Sequence, residues 1–107
     1  MKRFGQVIGV KKECLEDYKK YHAAVWPEIL QKITECNIRN YSIFNLDDKL
    51  FAYFEYIGDD FDADMKKMAD DPKTLEWWDV VKPFQQPLES RQEGEWWSTM
   101  EEVFHLD

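Results

Sequence analysis

Between Arg39 and Ile57 the chain carries two runs dense in β-branched and aromatic residues, with only Asp47-Asp48-Lys49 between them. The first is Arg39-Asn40-Tyr41-Ser42-Ile43-Phe44-Asn45-Leu46; the second is Leu50-Phe51-Ala52-Tyr53-Phe54-Glu55-Tyr56-Ile57. Runs of this composition pair as antiparallel strands, and a spacer of about three polar residues closes them into a hairpin. A lone hairpin cannot bury its apolar face in water, so the flanking segments must cover it.

Those flanks have the periods of helix and strand in a definite order. Phe4 to Val10 reads as a first strand. Leu15, Tyr18, His22, Val25, Ile29, Ile33 and Cys36 then recur in steps of three and four, one face of a helix running from about Cys14 to Cys36. Trp26-Pro27 interrupts it, because proline lacks a backbone donor and disfavours helical geometry in the residue before it; a kink or restart is expected there. After the hairpin, Gly58-Asp59-Asp60 opens a second helical region carrying Phe61, Met65 and Met68. Asp71-Pro72, an N-cap followed by proline at the first helical position, starts a further short helix with Leu75, Trp77, Trp78 and Val81. Pro83 to Glu95 loses periodicity and reads as a covering loop, and about Trp97 to Leu106 alternates like a last strand.

The resulting order, βαββαβ, is that of an α+β ferredoxin-like sandwich, with helices on one face of a four-stranded antiparallel sheet. The 107 residues suffice for a single domain, 1–107. Strands this aromatic call for burial on both faces, so a second copy is the expected cover and a homodimer the expected state.

The formal charge of −8 excludes nucleic acid and anionic lipid surfaces as natural partners. No apolar run approaches the roughly 20 residues of a membrane span, and Met1 to Gln6 lacks the long apolar segment of a signal peptide. A cytoplasmic location is expected. Cys14 and Cys36, some 33 Å apart along a helix rising 1.5 Å per residue, are read as reduced thiols.

His22 is the polar misfit in the apolar stripe. Tyr18, four residues before it, lies one helical turn away, so the two side chains can converge on one ligand. Two readings stand: a core histidine bonded to the tyrosine or to a backbone carbonyl, or a group titrating near neutral pH in an acid/base site. Tyr41, with Tyr53 and Glu55 on the adjoining strand, offers further hydroxyls and a carboxylate whose facing the sequence leaves open. The doublets Trp77-Trp78 and Trp96-Trp97 read either as packing or as walls on which the C–H face of a pyranose stacks. Neighbouring helical residues differ by about 100°, so Trp77 and Trp78 are expected to divide, one at the pocket and one in packing. The cluster Asp59, Asp60, Asp62, Asp64, Asp70, Asp71 lacks EF-hand spacing, and its members at helix starts are explained by the helix dipole. His105 has no partner at metal-ligand spacing, and neither phosphate loop nor dinucleotide fingerprint is present. No metal is expected.

The run Tyr18-Lys19-Lys20-Tyr21-His22-Ala23-Ala24-Val25-Trp26-Pro27-Glu28, then Asn40-Tyr41-Ser42-Ile43, Trp77-Trp78 and the terminal Glu102-Val103-Phe104, resembles the L-rhamnose mutarotase family over nearly the whole chain. The resemblance implies a dimeric α+β barrel that interconverts the anomers of a 6-deoxy-L-sugar, L-rhamnose or L-fucose, without metal or organic cofactor. It implies His22 as the acid/base and Tyr18, Tyr41, Trp77 and Trp78 as sugar-binding residues. A tyrosine hydroxyl, a water or Glu55 is expected to assist the second proton transfer. The segment from Pro83 to Trp97 departs from the rhamnose-specific pattern and is expected to reshape the pocket mouth. Two other classes remain as alternatives on the residues: a monooxygenase on the same dimeric barrel, and a non-catalytic sugar-binding accessory protein.

Overall fold

The computed structural model describes residues 1–107, beginning with strand β1 (Lys2–Val10). A short 3-10 turn (Lys12–Cys14) leads into helix α1 (Leu15–His22), and α2 (Pro27–Glu35) follows after a four-residue break. The stripe read as one interrupted helix is therefore shared by two. Trp26 has φ −59° and ψ 134°, the extended geometry that a following proline imposes, and Pro27 takes the first turn of α2. His22 is consequently the last residue of α1 rather than a mid-helix residue. Asn37, at φ 67°, turns the chain out of α2 in the left-handed region that asparagine tolerates.

Strands β2 (Ile38–Leu46) and β3 (Lys49–Tyr56) form the hairpin in antiparallel register. Its turn is the pair Asp47-Asp48, one residue shorter than expected, because Asp47 adopts φ 53° and Lys49 already pairs with Leu46. Between Arg39, opposite Glu55, and Ser42, opposite Tyr53, two residues of β2 face the single residue Phe54. This bulge has Asn40 at φ 52° and shifts the alternation by one.

Helix α3 (Phe61–Asp70) starts at Asp60, whose carboxylate accepts from the Ala63 N–H at 3.1 Å. Helix α4 (Pro72–Val81) starts at Asp71, which accepts from both the N–H and the hydroxyl of Thr74 at 2.9 Å. The segment read as an aperiodic loop contains a 3-10 turn (Lys82–Phe84) and a two-residue strand, β4 (Gln85–Gln86), against Gly9 and Val10 of β1. The last strand is β5 (Ser98–Met100), far shorter than the alternation over Trp97–Leu106 predicts. Past Met100 the tail is held by an Arg3–Glu102 ion pair at 2.9 Å, while Val103, Phe104 and Leu106 are 79–87% exposed. Nothing in the chain gives those apolar side chains a floor to pack on, so alternation alone does not extend the ladder.

The sheet order is β2-β3-β1-β4, with β5 also on β1. β4 pairs with the end of β1 and β5 with Gly5–Val7, so the two short strands share the place of the fourth strand in the ferredoxin-like pattern. On one face Ile8, Val10, Leu50, Ala52, Phe54 and Tyr56 are buried under the helices. There Asp64 of α3 accepts from the Tyr56 hydroxyl and, at 3.0 Å, from Asn37 Nδ2. Those bonds, led by that from Tyr56, hold its carboxyl below the ordinary range. The other face carries Phe44 and Leu46, 64% and 67% exposed, beside half-buried Phe51 and Tyr53. No helix is long and apolar enough to cross a membrane.

Candidate active site

The break after α1 places His22 at the rim of the helical layer, above the bulge of β2. Its Nδ1 lies 2.9 Å from the main-chain carbonyl of Tyr18. A carbonyl only accepts, so Nδ1 carries the proton, and Nε2 is left with its lone pair. The His22 ring stacks on Tyr18 with centroids 4.0 Å apart and planes at 20°, and meets the edge of Trp77 at 5.4 Å. Burial among these rings pulls the imidazole pKa below its ordinary value of 6.5, opposed by the bond to the Tyr18 carbonyl. Neutral imidazole with a free Nε2 is the form of a general base at neutral pH.

His22 borders three adjoining cavities. The innermost, of about 390 Å³, reaches Tyr18, Tyr41, Trp77 and Trp78 as well as His22, and lies within the roughly 300–1,000 Å³ typical of small-molecule sites. The structure thus brings together five of the six side chains singled out from the sequence. Tyr41 reaches this space because the bulge turns it inward, onto Phe54 at 5.5 Å. Regular alternation from Arg39 would have sent it to the outer face. Tyr41 is 42% exposed as a residue, and desolvation of its phenol raises that group's pKa above the ordinary value of 10. Burial also raises that of Tyr18, opposed by a hydrogen bond from Gln85. Both are neutral phenols at working pH.

The tryptophan pair does not divide as the 100° rule implies. Trp77 is buried against Ile29 and Val81, Trp78 is half-buried under the Lys82 ammonium at 4.9 Å, and both border the cavity. The cavity is wide enough for two divergent rings to form different walls. Glu55 stands apart from this group. It points from β3 to the outer face, accepting at 2.7 Å from both the Tyr53 hydroxyl and Asn40 Nδ2. Those bonds, from Tyr53 first, lower its pKa. The sheet separates it from His22 of the same chain.

Sequence reasoning put the Pro83–Trp97 segment at the pocket mouth but missed Gln85 within it. Gln85, 6% exposed, donates from Nε2 to the Tyr18 hydroxyl at 3.4 Å and accepts at Oε1 from Trp96 Nε1 at 2.7 Å. Gln85, Trp96 and Trp97 all border the cavity, so the Pro83–Trp97 segment contributes to its wall. Gly9 permits this close docking: a Cβ there would lie 2.5 Å from the Gln86 carbonyl oxygen. The second tryptophan doublet was the available signal, but no periodicity attaches a two-residue strand to β1.

The fold and the site define a ferredoxin-like α+β protein with a histidine stacked on a tyrosine at the wall of an aromatic cavity of small-ligand size. The family model for L-rhamnose mutarotase, rhaM, matches residues 3–106, and the chain belongs to the L-rhamnose mutarotase family. It is therefore an isomerase-class enzyme rather than a monooxygenase. The chain is 40% identical over 101 residues to a UPF0734 protein of Dictyostelium discoideum, covering 90% of this chain and 81% of that one. It is 34% identical over 109 residues to the L-rhamnose mutarotase of Lactiplantibacillus plantarum, covering all of both. Among solved structures, the L-rhamnose mutarotase of Formosa agariphila superposes with a TM-score of 0.78 at 23% identity over the whole of both chains. A type-II polyketide cyclase from Streptomyces glaucescens gives 0.75 at 17%, covering 100% of this chain and 98% of that one. Both solved structures share the α+β barrel fold; at these identities the likeness concerns fold alone.

Proposed function

We propose that this chain interconverts the α and β anomers of L-rhamnose, with His22 as the proton carrier. The observation that carries the proposal is the bond from His22 Nδ1–H to the Tyr18 carbonyl, which leaves a basic Nε2 on a ring at the cavity wall. Mutarotation needs a base for the anomeric hydroxyl proton and an acid for the ring oxygen. Nε2 takes the first proton, and the bond between the anomeric carbon and the ring oxygen breaks as that oxygen receives a proton from the Tyr18 hydroxyl or a water. Rotation of the open aldehyde and reclosure, with both transfers reversed, gives the other anomer. General acid/base catalysis of this kind is worth about 10²–10⁴-fold.

The remaining wall suits a 6-deoxy sugar. Tyr41, which borders the cavity, exchanges hydrogen bonds with ring hydroxyls in this reading, Trp77 and Trp78 present ring surface to C–H faces, and Phe54, Phe61 and Met65 offer an apolar end to the C6 methyl. The exposed aromatic face of the sheet and the apolar tail fit a homodimer, in which a second copy covers Phe44, Leu46 and Phe51. Free thiols at Cys14 and Cys36 agree with a cytoplasmic location.

Magnetisation-exchange NMR on equilibrated L-rhamnose and L-fucose, with and without protein, tests the activity. Faster exchange between the L-rhamnose anomer signals is expected. Spontaneous rates for both sugars contradict the proposal, and acceleration of L-fucose alone reassigns the substrate.

A further inference from the structure

Gln85 lies outside the residues so far given a role in the reaction, yet it is buried and bonded at both ends of its amide. Trp96 Nε1–H is a donor only, so the amide oxygen of Gln85 must face it, at 2.7 Å. That fixes the amide flip and turns Nε2 toward the Tyr18 hydroxyl, at 3.4 Å. A phenol that accepts on this side keeps its own proton for another direction; of the two cavities that the Tyr18 ring borders, the sugar cavity is the one that also takes in Gln85 and Trp96, and so it lies at the hydroxyl end. From this geometry we infer that Gln85, locked by Trp96, is a positioning residue that points the Tyr18 hydroxyl proton into the sugar cavity, toward the ring oxygen.

The inference rests on the mutarotase reading for its kinetic consequence, though not for its hydrogen-bond content. It also gives Tyr18 two separable duties. Its carbonyl sets the tautomer of His22, and its hydroxyl, aimed by Gln85, presents the complementary acid. The two halves of the proton exchange are thereby fixed from one residue of α1, with β4 as the outside brace. β4 is held by its pairing of Gln85 with Val10 and of Gln86 with Gly9.

Gln85→Glu is the discriminating variant. It preserves size and the acceptor for Trp96. An ionised carboxylate cannot donate, so the Tyr18 proton turns onto it and away from the cavity; a protonated carboxyl donates as the amide does and restores the original direction. The expected result is a kcat that falls about tenfold, the scale of one lost hydrogen bond, as pH rises through the titration of the introduced carboxyl, with KM little changed. Wild type lacks that limb. Trp96→Phe, which frees the amide to flip, lowers kcat in the same direction without creating the limb.

Tyrosine labelled with ¹³C at Cζ gives a readout independent of turnover: the stacked His22 gives the Tyr18 signal one pH-dependent step in both proteins, and Gln85→Glu adds a second at the midpoint of the introduced carboxyl. Wild-type exchange at the spontaneous rate would remove the mutarotase reading while this titration still decides the hydrogen-bond inference. A folded Gln85→Glu protein whose Tyr18 signal shows only the wild-type step overturns it, as does a pH-independent loss in which KM rises in step. If Gln85→Glu does not fold, Trp96→Phe decides alone: unchanged kcat overturns the inference, and a severalfold fall at constant KM supports it.

Discussion

The ring of His22 lies flat on that of Tyr18, 4.0 Å away, while its Nδ1–H donates to the carbonyl of the same tyrosine. One residue thus sets both the plane and the tautomer of the imidazole. This follows from their spacing of four in α1, because a last-turn side chain can fold back onto the carbonyl one turn earlier.

The burial that lowers the His22 pKa sets the sign of the pH dependence. The base must be neutral, so kcat/KM is full above the ordinary histidine value and falls as pH drops through a folded pKa below 6.5. Stability moves the same way: below 6.5 the unfolded chain takes up the proton that the folded chain resists, so folding weakens as pH falls. A pH profile of the exchange rate should show its acid limb below 6.5; a midpoint above that value contradicts the assignment.

Tyr18→Phe and Tyr41→Phe should separate. The first removes the hydroxyl beside His22 and leaves Gln85 Nε2 without its acceptor, costing about 1–3 kcal/mol of stability and lowering kcat. The second removes a hydroxyl that we propose binds the sugar, and should raise KM with kcat nearly unchanged. Urea titration and anomer-exchange kinetics on both proteins check this.

Gly9→Ala places a methyl against the Gln86 carbonyl oxygen, where a Cβ comes within 2.5 Å. Backbone cannot yield as a flexible side chain does, so β4 must move from β1, at about 1–3 kcal/mol. Because β4 carries Gln85, the exchange rate should fall along with the urea midpoint. A stability unchanged from wild type contradicts this packing.

Phe44→Glu puts a charge on the exposed sheet face, beside Phe51. Light scattering should find wild type as a dimer and the variant as a monomer. A wild-type protein that is monomeric at micromolar concentration contradicts the proposed cover for that face.

The elements legible in the sequence were those with long periods or strong punctuation. β2 and β3 were evident from their composition, α4 from Asp71-Pro72, and the break before α2 from Trp26-Pro27. The facing of Tyr41 was not legible, since it depends on a left-handed Asn40 and one extra residue, and a strand pattern read two by two cannot register that shift. Gln85 was hidden because a strand of two residues has no period. The alternation over Trp97–Leu106 overstated β5, because pattern reports what a segment can do and pairing requires a surface to receive it. His22 and Tyr18 are visible through spacing and Trp77 and Trp78 as a doublet, while the roles expected of all four come from the resemblance; the facing of Glu55 is revealed only by the register of β3 against β1.

The central claim is that the free Nε2 of His22 moves the proton, and His22→Asn tests it most directly by magnetisation-exchange NMR on L-rhamnose. Asparagine keeps a polar side chain at the last residue of α1 but supplies no base. With the circular dichroism and urea midpoint close to wild type, anomer exchange is expected to fall by about 10²–10⁴-fold, toward the spontaneous rate. A folded His22→Asn protein that still exchanges the anomers at the wild-type rate would contradict the account.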